Sequence, residues 1–336
     1  MQTRLEEEVL EDILEPDDAS CQPELRRALV GVTGHGLRLD RMLVNLVPEF
    51  SRSYLQRLMS VGAVKVNGEM SSKPSLRIRA GDAIEIELRP TPESQAFVAQ
   101  QMPLDIVFED AHLVVLNKPA GLVVHPAPGN WSGTLLNGLL HRYQDAASLP
   151  RAGIVHRLDK DTSGLMVVAR HRSAMDRLVK MIAAREVSRE YLALAHGNWQ
   201  GSRSIEINHS VGRDPRNRLR MAVVDLERNP GKFASTAVSL LENSESNGKF
   251  CLLKCKLRTG RTHQIRVHLA FIGHAIAADS LYGGVHAGGL QRQALHAFRL
   301  AFAHPASGEP LTFASALPVD FAEALGLLGV RYDILP

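Results

Sequence analysis

The chain has 336 residues, of which 45% are hydrophobic and 22% charged, which excludes a disordered or fibrous protein. No apolar run approaches the roughly 18 residues that a bilayer-spanning helix needs. The net charge is +3 and the cysteines are only Cys21, Cys251 and Cys255, an odd number that excludes a disulfide framework.

The charge is unevenly spread. Residues 1–24 hold nine acidic side chains and one arginine, a net of −8, which leaves +11 on the rest. A basic body of this kind suits a polyanionic partner. Residues 1–30, with Pro16 and Pro23 and few aromatics, predict an acidic, disordered tail. That start has no secretory apolar stretch, so a cytoplasmic location is expected. The length predicts two domains.

Residues 36–90 predict a small α/β domain. Leu37, Leu39, Met42, Leu43 and Leu46 share a helical face, with Asp40 and Arg41 outward and Pro48 as the stop. Ser51 caps a second helix that turns Tyr54, Leu55, Leu58 and Met59 inward. Val64–Val66 alternates into an Asn67-Gly68 hairpin turn, and Ile84–Leu88 alternates again. Arg41, Arg52, Arg57 and Lys65, with Lys73, Arg77 and Arg79, form a surface suited to tracking phosphates. This segment resembles the S4 RNA-binding module. Pro90, Thr91, Pro92 and Ser94 mark a linker over 91–103, and a second domain runs from 104 to 336.

In that second domain Ile106–Phe108 and Leu113–Leu116 predict a hairpin, and Leu122–His125 resumes the strand pattern. Thr134–Tyr143 has helical spacing, and Leu165–Ala169 reads as a buried strand. Met175, Leu178, Val179 and Ile182 stripe a helix, and Arg189–Leu194, Ser235–Leu240 and Phe250–Leu257 are strands. Thr259–Thr262 turns into a helix carrying Arg266 and ending at Gly273. Strands near 294–298 and 311–313 and a last helix over Val319–Leu327 follow. There is no regular βαβ repeat, so the fold class is α+β with a largely antiparallel or mixed sheet.

Chemistry concentrates in one stretch, Gly153–Ala169, where Arg157 and Asp159 sit on a loop entering the buried strand. P-loop, dinucleotide, nucleophile-elbow and zinc-ligand spacings are absent, and His263 and His268, five apart on a helix, diverge. An aspartate beside guanidinium groups stays ionised at neutral pH. It suits a nucleophile or electrostatic stabiliser at a sugar carbon better than a general acid. On a basic surface this points to a nucleoside glycosidic bond. From the residues alone, a purely structural Arg157–Asp159 pair is equally open.

His156–Gly164 resembles the signature of the RluA family of pseudouridine synthases. Asn117–Gly121, Arg189–Tyr191 and Thr259–His268 resemble its other motifs, in order. The resemblance implies a pseudouridine-synthase-like mixed, largely antiparallel central sheet with flanking helices, behind the S4 module. It implies that Asp159 is the catalytic carboxylate and that Arg266 pairs with it. Tyr191 stacks on the target base, and Arg157 enters the space left by a flipped uridine. Carboxylate attack and a glycal route, in which Tyr191 is the base, both fit. The implied substrate is a stem-loop of 23S ribosomal RNA, free or in the pre-ribosomal large subunit. The resemblance implies no cofactor and no metal, and a monomer is expected. The alternatives are another RNA target, at a different 23S site or in transfer RNA, and a non-catalytic RNA-binding assembly factor. His156 is read as structural, and Lys160 and Asp161 as turn formers.

Overall fold

The computed structural model describes residues 24–47, 52–88, 96–127, 130–217, 220–245 and 249–332. Expectations for residues 1–23, the Pro48 stop, the Ser51 cap and the linker prolines lie outside the described residues. The chain divides into two units, Asp17–Val98 and one that contains Ala99–Pro336.

The smaller unit runs β1 (Glu24–Leu29), α1 (Leu39–Leu46), α2 (Arg52–Ser60), β2 (Val64–Val66), β3 (Glu69–Met70) and β4 (Ala83–Leu88). Its strands form one sheet in the order β1-β4-β2-β3. Leu39, Leu43, Leu55, Met59, Ile84 and Ile86 form the core between helices and sheet.

Two expectations are corrected in this unit. Residues 24–29 do not belong to a disordered tail, because they pair with β4 along its whole length and complete the sheet. Asp40 does not face outward but is 0% exposed. It accepts from Arg38 Nε at 3.1 Å and Arg52 Nη2 at 2.7 Å. The Arg38 bond, set against burial and joined by Arg52, holds its carboxyl well below the usual carboxylate range. Helical periodicity alone places a carboxylate outward; two guanidiniums are what let it turn in. Arg52 is therefore pinned while still exposed, and Arg41, Arg57 and Lys65 are exposed too.

The larger unit runs β5 (Ile106–Glu109), β6 (Leu113–Lys118), α3 (Leu135–Arg142), β7 (Ser163–Ala169), α4 (Arg172–Ala183) and β8 (Ser188–His196). Then come β9 (Ser204–Asn208), β10 (Val211–Arg213), β11 (Met221–Val223), β12 (Gly231–Lys232), β13 (Ser235–Asn243) and β14 (Phe250–Leu257). The chain closes with α5 (Gln264–Phe271), β15 (Leu295–Ala303), β16 (Pro310–Ala314) and α6 (Val319–Leu327). A nine-stranded sheet has the order β5-β6-β7-β15-β8-β14-β13-β9, with β16 beside β15. Its pairings are antiparallel except for a short parallel contact between β7 and β15. The fold is thus mixed α+β with a largely antiparallel sheet. Strands β10–β12 form a separate small sheet, too short and polar to have been read from periodicity.

Strand β7 is buried along its full length. Met166 and Val168 pack with Leu135, Leu136 and Leu139 of α3 on one face. Leu165, Val167 and Ala169 pack with Met175, Leu178 and Val179 of α4 on the other. Burial on both faces is why its sequence is continuously apolar rather than alternating. Two glycines make this packing possible. A Cβ on Gly153 (φ +81°) would lie 2.0 Å from Ala169 O, and one on Gly164 (φ +118°) 2.3 Å from Ala297 O.

Two details differ from expectation. Leu122–His125 is not a strand, because the Val123 and Val124 carbonyls accept from Leu135 and Leu136 N–H and so satisfy the start of α3. The larger unit also begins before residue 104. Gln100 N–H donates to Asn137 O at 3.0 Å, and Gly133 N–H donates to the Gln100 side chain at 2.7 Å.

Candidate active site

The loop between Ile154 and Ser163 is held from every side. The Lys118 side chain, 0% exposed, donates to Pro119 O, Leu122 O and Lys160 O at 2.8–2.9 Å. Gly121 N–H also reaches Lys160 O, and Thr162 N–H closes a turn onto Asp159 O. Arg292 donates to Asp161 O at 3.1 Å while bidentate to Asp320. Ser163 Oγ lies 2.9 Å from His296 Nδ1. The turn reading of Lys160 and Asp161 thus matches their carbonyl contacts.

On this mount Asp159 is half-buried, with its carboxylate facing α5. Arg266 Nη1 donates to Asp159 Oδ2 at 3.1 Å. The same guanidinium forms a bidentate pair with Asp279: Nε to Oδ2 at 2.7 Å and Nη2 to Oδ1 at 2.8 Å. Arg266 is 7% and Asp279 2% exposed, so Arg266 is no helix-surface charge. The Tyr282 ring lies under its guanidinium, 5.0 Å from the centroid. Burial works against the arginine charge, but Asp279 and then Asp159 outweigh it and hold its pKa above the ordinary value. One guanidinium therefore bridges a buried carboxylate and a reachable one. Asp279 takes two of its donors, leaving a single hydrogen bond to fix Asp159 Oδ2.

Tyr191 on β8 is 4% exposed. Burial, with Asp159 adding to it and Arg189 opposing, pushes its phenol up to about 12. A phenol in that range stays protonated at neutral pH, so in the free enzyme the ring can stack or donate but does not stand ready as a base. Arg157 is exposed and makes no hydrogen bond or ion pair among the described residues. Its guanidinium does not pair with Asp159, so the local pair suggested by spacing is replaced by the long-range partner Arg266. His125 feels the charges of Arg151 and Arg157, and its Nε2 is buried with no hydrogen-bond partner among the described residues.

His156 is structural, as expected: its Nε2 accepts the Val167 N–H at 3.1 Å. Burial, reinforced by Arg189, pushes its pKa down to about 3, and burial does the same for His125. Between that value and the ordinary 6.5, the unfolded chain binds a proton that the folded chain refuses. Stability is therefore lost as pH falls from 6.5 toward 3, at ~1.4 kcal/mol per pH unit for each histidine. Thermal melts from pH 7 to 4 should show this fall. His156→Gln, whose amide oxygen can still accept from Val167, should flatten the slope by about one proton.

Asp279, Tyr282, Lys118 and His263 were not assigned roles from the sequence. Lys118 carried a signal, a lysine in register with buried apolar residues before a proline. Asp279 and Tyr282 carried only an Asp-Ser-Leu-Tyr tetrapeptide after an apolar run. Arg41, Arg52, Arg57 and Lys65, expected from the sequence to track phosphates, belong to the smaller unit. Among the described residues, no group of three or more His, Cys, Asp or Glu is arranged to hold a metal ion. What the site offers is an oriented carboxylate beside an exposed arginine and a buried phenol.

A family model described as RNA pseudouridylate synthase matches residues 112–271, and one described as S4 domain matches residues 37–84. The chain is 47% identical over 305 residues to the Ribosomal large subunit pseudouridine synthase D of Neisseria meningitidis serogroup B, covering 87% of this chain and 79% of that protein. It is 42% identical over 328 residues to the protein of the same name from Xanthomonas campestris pv. campestris, covering 93% and 96%. Among solved structures, Human RNA Pseudouridylate Synthase Domain Containing 1 aligns with a TM-score of 0.51 and 27% identity, covering 64% of this chain and 84% of that one.

Proposed function

The chain belongs to the RNA pseudouridylate synthase family, and on that premise we propose that it isomerises uridines in the 23S RNA of the ribosomal large subunit. The observation that carries the reading is the Asp159 carboxylate, anchored through Oδ2 by Arg266 and with Oδ1 in no hydrogen bond among the described residues. The names of the bacterial relatives support the large-subunit target.

The reaction breaks N1–C1′, turns the uracil and forms C5–C1′. A uridine in a stacked helix hides both atoms, so it must leave the stack at a cost of a few kcal/mol. Arg157, exposed and unpaired, is suited to fill the vacated position, and Tyr191 to lie against the extruded base. Asp159 then meets C1′, by direct attack or beside a glycal formed by loss of the C2′ proton. Arg41, Arg52, Arg57 and Lys65 supply phosphate contacts from the S4 unit. Nothing is oxidised and no group leaves for another molecule. We extend the proposal to action as a monomer, and to the cytoplasm because the proposed substrate is ribosomal.

Asp159→Asn tests the reading. Formation of C5–C1′ expels the C5 hydrogen, so tritium release from 5-tritiated uridine in a large-subunit RNA fragment reports turnover. The variant should bind RNA within about twofold of wild type and lose about a thousandfold or more in rate. Retained turnover would remove Asp159 from the chemistry. A wild-type protein that binds but never releases tritium would favour the assembly-factor reading. Pseudouridine mapping in a deletion strain tests the target: 23S RNA unchanged on deletion would overturn the ribosomal assignment.

A further inference from the structure

The second oxygen of Asp159 faces a side chain that the family reading leaves unused. His263 stands at the N-terminal boundary of α5 in a left-handed conformation (φ 55°, ψ 20°) that residues other than glycine seldom adopt. Its Nδ1 lies 2.8 Å from the Tyr282 hydroxyl, which accepts the Met221 N–H at 3.0 Å. The hydroxyl has one proton to give and, among the described residues, no other acceptor than Nδ1. With the hydroxyl donating to Nδ1, the ring proton sits on Nε2. Burial keeps the pKa of His263 below the ordinary histidine value, against the pull of Asp159. Arg266, Asp279 and Arg157 are the other charged groups that act on it.

Nε2 lies 3.8 Å from Asp159 Oδ1, too far for a hydrogen bond. Its proton is therefore unspent, on a side chain that is 21% exposed beside the reactive carboxylate. Arg266 already spends three donors on Asp279 and Asp159.

We propose that His263 is a catalytic hydrogen-bond donor to a carbonyl oxygen of the uracil while the base is detached from the ribose, with Tyr282 setting its tautomer. The proposal rests on the reading of the chain as a pseudouridine synthase. When N1–C1′ breaks, its electron pair goes to N1 and spreads onto O2 and O4 of the ring. C1′ meanwhile bonds to the Asp159 carboxylate or gains a double bond as C2′ loses a proton. The freed base is an anion that must survive a rotation without diffusing away. A fixed neutral N–H beside the carboxylate meets that charge without reorganising. C5 then bonds to C1′ as the Asp159–C1′ bond breaks or, on the glycal route, as C2′ regains its proton; C5 sheds its proton, and N1 takes one up. The product is an isomer of the substrate, and His263 ends with the proton it began with.

The test compares His263→Gln, whose amide N–H can reach the position of Nε2, with His263→Met, of similar length and no donor. Single-turnover pseudouridine formation and RNA affinity are measured on both, beside wild type and Asp159→Asn, with folded fractions from thermal melts used to normalise the rates. H263M is expected to be about a hundredfold slower than wild type and at least about tenfold slower than H263Q, with RNA affinity held within about threefold. A smaller gap between H263M and H263Q, or a loss confined to RNA affinity, would overturn the donor role. Inactive wild type would instead sink the synthase reading. Active wild type and dead Asp159→Asn beside unaffected His263 variants would sink only this proposal.

Discussion

Asp279→Ala is expected to lower the free energy of unfolding by about 3–5 kcal/mol, the cost of stripping one partner from a buried ion pair. Asp159→Ala, at the other end of the same guanidinium, should cost under about 1 kcal/mol. The contrast follows from geometry. Asp279 is 2% exposed and takes two Arg266 donors at 2.7 and 2.8 Å. Asp159 takes one at 3.1 Å and is partly open to solvent. Without Asp279, a buried arginine keeps a single hydrogen bond and swings toward Asp159, closing a tighter pair over the reactive carboxylate. Activity should therefore fall in both variants, for different reasons. Asp279→Asn keeps one acceptor and should recover part of the stability but little of the rate. Urea unfolding together with single-turnover kinetics checks all three. Equal destabilisation by Asp159→Ala and Asp279→Ala would show that Asp279 is not the anchor.

Much of this arrangement was legible in the sequence because it depends on neighbours along the chain. Leu165–Ala169 reads as a buried strand from its unbroken apolar run, and β7 has that run because α3 and α4 cover its two faces. The helix after Thr259–Thr262 is visible in its spacing and capping residues. The pairing of Asp159 with Arg266, 107 positions away, is visible in no local pattern; it came from the order of the motifs. What was not legible is the polar interior. Asp40 was placed outward because a carboxylate on a helix is ordinarily solvated, and only Arg38 and Arg52 together make its burial tolerable. Asp279 and Tyr282 lie beyond the C-terminal end of α5, in a turn whose fold depends on the helix it supports. Arg157 and Asp159, two apart, looked like partners, yet the Asp159 carboxylate takes its hydrogen bond from Arg266 instead.

Lys118→Met is expected to be the other severe variant, although Lys118 touches no substrate atom in the proposed reaction. Its three N–H groups meet three backbone carbonyls, Pro119 O, Leu122 O and Lys160 O. A methionine of similar length fills the space and removes all three donors: Pro119 O and Leu122 O lose their side-chain partner, and Lys160 O keeps only the Gly121 N–H. Each such loss costs about 1–3 kcal/mol, and the losses share one site and do not add fully, so roughly 3–5 kcal/mol is expected. Burial pushes the lysine pKa down to about 7, against the pull of Asp161 and Asp159. The three carbonyls match an ammonium rather than an amine, which has one donor fewer. The functional consequence runs through one atom: Lys160 O belongs to the residue after Asp159, so losing one of its two donors loosens the backbone that aims the carboxylate. A displacement of about 1 Å there is enough for a hundredfold loss in rate. Lys160→Met is the control, since the exposed Lys160 side chain takes no part and only its carbonyl is used. It should change stability by less than about 0.5 kcal/mol and leave the rate close to wild type. Chemical denaturation and single-turnover rates on the two variants separate the staple from mere charge removal. Comparable behaviour of Lys118→Met and Lys160→Met would show that the carbonyl contacts do not hold the loop.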